Sequence, residues 1–420
     1  MTVHASTIWE IRTTGLAANG GGFANVTPGT SVDYSQQNAA QLSLIDIATD
    51  AAGTKLTSAT GGFTAAMEGN CLFLLGGGAT AGWYQIVTGG YINGNNVTID
   101  RSAGANKVGV AGNLGGAFCF GSIYDNTFLN LGGAPGNIYY IKSGSYVLGA
   151  ASATRMGSAT AVVRLLGYKV TRGDVPLGND RPLLNLAATE LSVASYNFLG
   201  HLRFTGTNSF MVDLESACCV VNCKAVNTSV ASPCHAFRSS PGSVVFIGCE
   251  ATTAGGGTSA AFLAGGGGIQ WIGCFAHDSA YGFYSSGNNV AVACVVDTCP
   301  YGFYANASGL VTVLCTVYHC TNGIYLFDEL YFTAIVNTII SACDNGIVCN
   351  GGGLTGEAIY TIHSNFFNVA DFVSVLNWFG NILGDPGLQN PGANDFSIRD
   401  NDHNVYEQAA DVGHYTPAIV

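Results

Sequence analysis

Charge is what this sequence is short of. Lys, Arg, Asp and Glu make up 10% of its 420 residues, against about 25% in an ordinary soluble domain. The balance is acidic, with 14 basic and 26 acidic side chains and a net charge of −12. A nucleic-acid partner needs a basic footprint for its phosphates, so none is expected. No apolar run approaches the length of a membrane-spanning helix, and no membrane span is expected either. Met1 to Glu10 offer neither a basic stretch nor an apolar segment behind it, so export through a signal peptide is not expected. There are 14 cysteines, yet the CxxC pairs of structural zinc are missing and no His falls at a matching spacing. No metal and no other cofactor is expected. A surface with so few charges must carry neutral and apolar area, which points to cover by further subunits.

Glycine is abundant instead, at 58 residues, and it marks a repeat. The chain reads GCFAHDSAYGFY from Gly273, ACVVDTCPYGFY from Ala293 and LCTVYHCTNGIY from Leu314, with a shorter copy, SACDNGIV, from Ser341. Gly282, Gly302, Gly323 and Gly346 follow one another at 20, 21 and 23 residues, and Cys249, Cys274, Cys294 and Cys315 at 25, 20 and 21. A fixed period of this size is the mark of a solenoid. Inside each copy the apolar residues alternate. Val290, Val292, Cys294 and Val296 are interleaved with Ala291, Ala293 and Val295, and a period of two means strand. About 20 residues leave no room for a helical crossover beside such strands, and the consensus of leucine-rich repeats is absent. The expected fold is all-β: a right-handed parallel β-helix with a smaller, mostly-β N-terminal domain and a C-terminal cap. Its coils stack about 4.8 Å apart.

The expected boundaries are 1–125 for the N-terminal domain, 126–384 for the β-helix and 385–420 for the cap or tail. An open solenoid end exposes raw core and unpaired backbone, so a cap is required. A core ladder is expected along Phe210, Phe237, Phe262, Phe283, Phe303, Ile324 and Ile347, with the cysteines packed inside as small apolar groups. Side chains one position away must then face outward. Tyr284, Tyr304 and Tyr325 form an outer stripe, and Phe246, Trp271 and Phe275 alternate with inward Ile247, Ile272 and Cys274. Three uses fit such aromatics: a contact between subunits, a surface that stacks on sugar rings, or packing across coils. The expectation puts Phe246, Trp271 and Phe275 in a subunit interface and keeps the tyrosines as an interface or ligand-binding row.

The phrases Ile141-Lys-Ser-Gly-Ser-Tyr and Phe198-Leu-Gly-His-Leu-Arg-Phe-Thr-Gly, followed by Cys…Gly-Ile turns, resemble coils of right-handed β-helix proteins of the pectate-lyase-like superfamily. Thr7-Ile-Trp-Glu-Ile-Arg with Asp33-Tyr-Ser-Gln-Gln, Gly82-Trp-Tyr-Gln-Ile-Val with Val97-Thr-Ile-Asp-Arg-Ser, and Asp411-Val-Gly-His resemble β-helix proteins found among bacteriophage structural genes. The likeness is one of architecture and phrase, not of a catalytic motif. It implies a homotrimeric virion protein, located in the particle: a tail spike, fibre or capsid-attached appendage. Such a protein would join other virion proteins through its N-terminal domain and touch host surface glycans.

Cleavage of a glycan needs paired carboxylates or an acidic calcium site with a base. The regular coils carry Glu250, Asp278, Asp297, Asp328, Glu329 and Asp344, with no stacked trio of carboxylates. No Lys or Arg lies between Arg238 and Arg399. His277 and His319 beside Asp278 read as common residues on a long surface, so no catalytic residue is assigned. The stretch from Arg155 to Glu215 is richer in charge, with Glu190, Asp213 and Glu215 among its acids, and is where a hydrolytic site would lie. Three functions of different class remain open: a structural and adhesive virion component, a polysaccharide depolymerase on the same scaffold, and a cell-surface β-helix protein.

Overall fold

The computed structural model describes residues 6–24, 31–131, 135–149, 152–240, 242–306, 309–327, 333–350, 359–362, 364–367, 377–379, 388–390 and 395–398. The chain divides into two compact units, residues 1–185 with 196–202, and residues 186–195 with 203–420. Among the described residues no helix is long and apolar enough to cross a membrane.

In the first unit the strand Ile8–Ile11 pairs antiparallel with Gly22–Phe23 and in parallel with Ile138–Lys142. Ile138–Lys142 pairs in turn with Val163–Tyr168, and that strand with Asn197–Gly200. Between Phe23 and Ile138 in the sequence lies a closed antiparallel barrel: Leu42–Thr49, Lys55–Thr57, Asn96–Ile99, Gly82–Asn93, Cys71–Leu75 and Val110–Leu114. Closure leaves no free edge. Inward alternation fills the barrel with Leu44, Ile47, Leu56, Leu72, Leu74, Tyr84, Ile86 and Val97. Beside it Glu10, fully buried, accepts from Arg12 Nε and Arg172 Nε at 2.7 Å each and from the Tyr168 hydroxyl. Arg172 also reaches Asp33 Oδ2 at 2.7 Å and Ser35 Oγ at 3.0 Å.

The second unit is a right-handed parallel β-helix. One coil runs through Asn289–Val292, Val295–Asp297 and Tyr301–Asn306, and each strand pairs in parallel with its counterpart one coil on. Three sheets result, here called first, second and third in that order. Nothing but strands and short corners fits into 20 residues, as the spacing predicts. The interior ladder runs Val212, Phe237, Phe262, Phe283, Phe303, Ile324 and Ile347. Its phenylalanine rings stack at 5.6, 4.9 and 4.9 Å, each burying roughly 1.5–3 kcal/mol of transfer free energy. Phe210, expected in this ladder, pairs with His235 and lies on the other face.

The corner between first and second sheets corrects a further expectation. Asn222, Gly248, Gly273, Ala293, Leu314 and Asn337 stand at equivalent places, all left-handed with φ between 48° and 60°. One left-handed residue turns the chain and shifts the alternation by one position. Residues before and after the corner therefore do not share a parity. Cys223, Cys249, Cys274, Cys294 and Cys315, just past it, point inward and are buried. Phe246 and Trp271, two positions before it, also point inward, at 1% and 0% exposure. Phe246 packs 5.5 Å from Phe262 and Trp271 5.3 Å from Phe283. They are core residues and offer nothing to a subunit interface. Ile247 and Ile272 face outward in their place, as do Val290 and Val292. Phe275 does lie outside, half-buried against His277 at 4.6 Å.

Towards the C-terminus Asn365–Phe367 continues the second sheet and Asn377–Phe379 the first. The expected cap at 385–420 lies outside the described residues, apart from the antiparallel pair Leu388–Asn390 and Asp395–Ile398.

Candidate functional site

The outer face of the third sheet collects the residues that can do chemistry. Its strands do not alternate strictly. In Tyr281–Ser285 both Gly282 and Phe283 face inward. A Cβ on Gly282 would stand 2.7 Å from the Gly302 carbonyl oxygen and 2.8 Å from Val296 Cγ1. On Gly302 it would stand 2.4 Å from the Gly323 oxygen. Only glycine fits where backbones approach this closely. Two consecutive inward residues form a bulge, and so Tyr281 and Tyr284, three positions apart, share the outer face.

The outcome is two tyrosine columns. Tyr281 stacks on Tyr301 at 4.8 Å, Tyr284 on Tyr304 at 4.8 Å, and Tyr304 on Tyr325 at 5.4 Å. Edge contacts at 4.9–5.7 Å tie Tyr304 to Tyr281 and Tyr301. Tyr284, Tyr304 and Tyr325 thus form the row expected. Tyr281 and Tyr301 were not expected there, and their signal is the recurring Tyr-Gly-Phe-Tyr phrase once its glycine is understood as a bulge. Burial and the neighbouring phenols push the Tyr304 and Tyr281 hydroxyls up, and burial does the same to Tyr284. They stay protonated, able to donate and accept. Beyond Tyr301 and in register with it stand Asn322 and Asn345, joined at 2.9 Å.

In the opposite direction the tyrosine columns continue through Ala260 and Leu263 to His235 and Arg238, then to Phe210 and Asp213. Arg238 lies 4.1 Å over the Phe210 ring and 3.7 Å from Asp213 Oδ1. His235 stacks on Phe210 at 5.6 Å and accepts from the Ala260 amide through Nδ1 at 3.1 Å, so its proton sits on Nε2. Burial, helped by Arg238, pushes His235 down to about 4, and it is neutral at pH 7. Asp213 is pushed up by burial, with Arg238 opposing. Glu190 is pushed up by burial and by the charge of Asp213. These two acids come from the charged stretch where a hydrolytic site was expected. Glu215 of that stretch is exposed and binds Ser195 instead, at 3.1 Å.

A second polar group lies on the outer face of the second sheet. Lys224 Nζ donates to Glu250 Oε1 at 2.6 Å, and His277 bridges Glu250 at 3.2 Å and Asp278 at 2.8 Å. Asp297 pairs in register with His277 and stands 3.3 Å from His319 Nδ1. Asp278 sits in the corner one residue later, with φ 47°. Among the described residues no group of three His, Cys, Asp or Glu could hold a metal. Burial pushes Glu250 up, but the hydrogen bonds from His277 and Lys224 overcome it and hold the carboxyl at about 2. Burial pushes His277 down, and its hydrogen bonds to Glu250 and Asp278 raise it above the ordinary value.

These shifts set a pH window. The depressed Glu250 contributes stability above about pH 4.5 that is lost as pH falls towards 2, and the raised His277 contributes below about pH 6.5 what is lost as pH rises through its folded value. His277→Gln should therefore cost most stability between about pH 4.5 and 6.5. Urea titrations of both proteins at pH 5.5 and pH 9 test this; a gap as wide at pH 9 as at 5.5 refutes it.

No known family profile matches the chain, and no curated protein matches it. Solved structures with a related backbone path include pectate lyase Pel9A, with a TM-score of 0.43 and 11% identity over 64% of this chain and 82% of that one. Another is the PL6 family polysaccharide lyase Pedsa3628 from Pseudopedobacter saltans, at 0.40 and 10% over 64% and 92%. A third is a catalytic domain of GH87 α-1,3-glucanase in complex with nigerose, at 0.34 and 11% over 83% and 89%.

Proposed function

We propose that this protein binds a neutral polysaccharide along the outer face of the third sheet and cleaves it with Glu190 and Asp213. The observation that carries the reading is the five-tyrosine platform running in register to Asp213, with Glu190 near enough to feel its charge. Stacked on one another, these rings turn their edges and hydroxyls to the ligand: apolar C–H edges to pack on a sugar and phenols to donate to and accept from its hydroxyls. Three coils separate Asp213 from Tyr284, roughly 14 Å at ~4.8 Å per coil, a span of a few sugar units. Glu190, pushed up by burial and by the charge of Asp213, takes the part of the acid that protonates the leaving oxygen. Asp213, with Arg238 3.7 Å away to favour its charged form, takes the part of base or nucleophile. The glycan is neutral because no Lys or Arg occurs between Arg238 and Arg399, and Arg238 is engaged by Asp213 and Phe210. An acidic chain laid on the tyrosines would find no countercharge.

The test is release of reducing ends from soluble glucans, xylans and mannans, with polygalacturonate as the acidic comparison. Glu190→Gln and Asp213→Asn should each lower the rate about 10²-fold or more and leave binding intact. Tyr325 is a more exposed member of the row than Tyr304, and Tyr325→Ala should weaken binding about tenfold, a loss of roughly 1.4 kcal/mol. Rates unchanged in both carboxylate variants would refute the assignment. A second reading keeps the binding and drops the cleavage: an adhesive bacteriophage component that holds a host glycan on the same tyrosines. It is favoured by the absence of any carboxylate in the third-sheet strands from Ala260 to Cys349. Binding without release of reducing ends by the wild-type protein would decide for it.

A further inference from the structure

The outer face of the first sheet is uncharged over its whole regular length and aliphatic but for Cys219 and Gln270. Val221, Ile247, Ile272, Val292, Val313 and Val336 stand in one column, each in register with the next. Val245, Val290 and Val311 stand in the neighbouring column, with Gln270 between the first two. All are partly exposed, Ile247 at 37%. The segments that make this face, 217–222, 243–248, 268–273, 288–293, 309–314 and 333–337, contain no Asp, Glu, Lys, Arg or His. The left-handed corner explains the pattern. By shifting the alternation it turns the bulky Phe246 and Trp271 into the core and puts the β-branched residues outside.

We infer that this face is where a second copy of the chain docks. The column spans five coil steps, about 24 Å at ~4.8 Å each. Two columns with their flanks are roughly 10 Å wide, so the strip approaches the 300–600 Å² of the largest apolar patch on a typical monomer, a size that is often functional. It would form the dry centre of an interface of standard size, about 800 Å² per partner. Charge selects the occupant. Each copy carries a net charge of −12, so two copies meeting across acidic surfaces repel, and this face brings no charge to the contact. It is also self-complementary. Identical flat sheets of valine and isoleucine at one pitch interdigitate ridge to groove when packed about 10 Å apart, and a homo-oligomer requires such a match. The tyrosine platform, on another sheet of the same coil, is left open to its ligand.

The test is the mass of the full-length protein in solution by light scattering and sedimentation, across the micromolar range, for wild type and for Val292→Lys with Val313→Lys. Wild type should be a closed oligomer, and the double variant a monomer with an unchanged circular-dichroism spectrum. Should the lysines prevent folding, the near-isosteric Val292→Thr with Val313→Thr takes their place, and at least a tenfold weaker association is expected. A monomeric wild type overturns the inference, and so does a folded double variant that keeps the wild-type mass. Glycan binding, measured on the same samples, reads the third-sheet site separately.

Discussion

Phe303→Asp should leave the β-helix unable to fold, while Asp278→Ala should fold as wild type does. Phe303 is fully buried between Phe283, 4.9 Å away, and Ile324, its partner on the next coil. Removing the ring alone costs about 3–5 kcal/mol. Aspartate adds a carboxyl with no partner inside the coil, at several kcal/mol more. The sum rivals the 5–15 kcal/mol that holds a whole domain. It falls in the middle of a solenoid, where each coil depends on both neighbours. Asp278, by contrast, is exposed and hydrogen bonds only to His277 among the side chains nearby. Its backbone is left-handed, φ 47°, but Ala342 occupies the matching corner three coils further with φ 52°, so alanine is tolerated there. Soluble yield, far-UV circular dichroism and resistance to limited proteolysis distinguish the outcomes. A protease-resistant, wild-type-like Phe303→Asp protein would mean that the interior ladder is misassigned.

Glu10→Ala carries the second large effect. Its carboxylate is the shared acceptor of two guanidinium groups and a phenol in the first unit, and no water reaches it. Deleting one member of a buried ionic group leaves the others uncompensated and costs about 3–5 kcal/mol. Arg172 retains Asp33 and Ser35, whereas Arg12 keeps Asn38, at 3.5 Å, and the Tyr168 hydroxyl. A double variant, Glu10→Ala with Arg172→Met, should lose less than the sum of the single losses, since the second change removes a stranded charge. Urea unfolding followed by hydrogen exchange of the 138–142 and 163–168 strands reads this unit separately. Strict additivity would show that Glu10 and Arg172 do not act together.

The solenoid was legible because its period is carried by the residues under the tightest constraint. Gly282, Gly302 and Gly323 recur because no side chain fits beneath the next backbone, and Phe283 and Phe303 recur because each ring needs the ring below it. Orientation was less legible. Alternation was carried across the corner as though the chain were one strand, which put Val292 inside and Trp271 outside. The corner holds Gly, Asn, Ala and Leu alike, so no residue type announces a left-handed backbone there. Phe210 was misplaced for a related reason. Counted by aromatic identity it belongs with Phe237, whereas the register pairs Val212 with Phe237. The tyrosine row was read correctly from Phe303 onward because Phe303 and Tyr304 are adjacent and no bulge or corner intervenes. Its second column stayed hidden by the bulge. Glu190 and Asp213 lie more than twenty residues apart, and only the coil brings them near enough for the charge of one to act on the other; composition could point to their region and no further.

The glycine bulge gives the molecule a graduated length. Every coil that contains it adds one step to the interior ladder and one row to the outer platform, and its contacts reach only the coils on either side. The extent of the aromatic surface is therefore counted in whole turns of the chain. Duplication or loss of a segment of about 20 residues, cut at the same point in two neighbouring coils, would lengthen or shorten the platform by a single row and leave corner, core and sheet pairing as they are. A binding surface of this kind can be fitted to a longer or shorter ligand without redesign of any contact, by changing the number of turns alone.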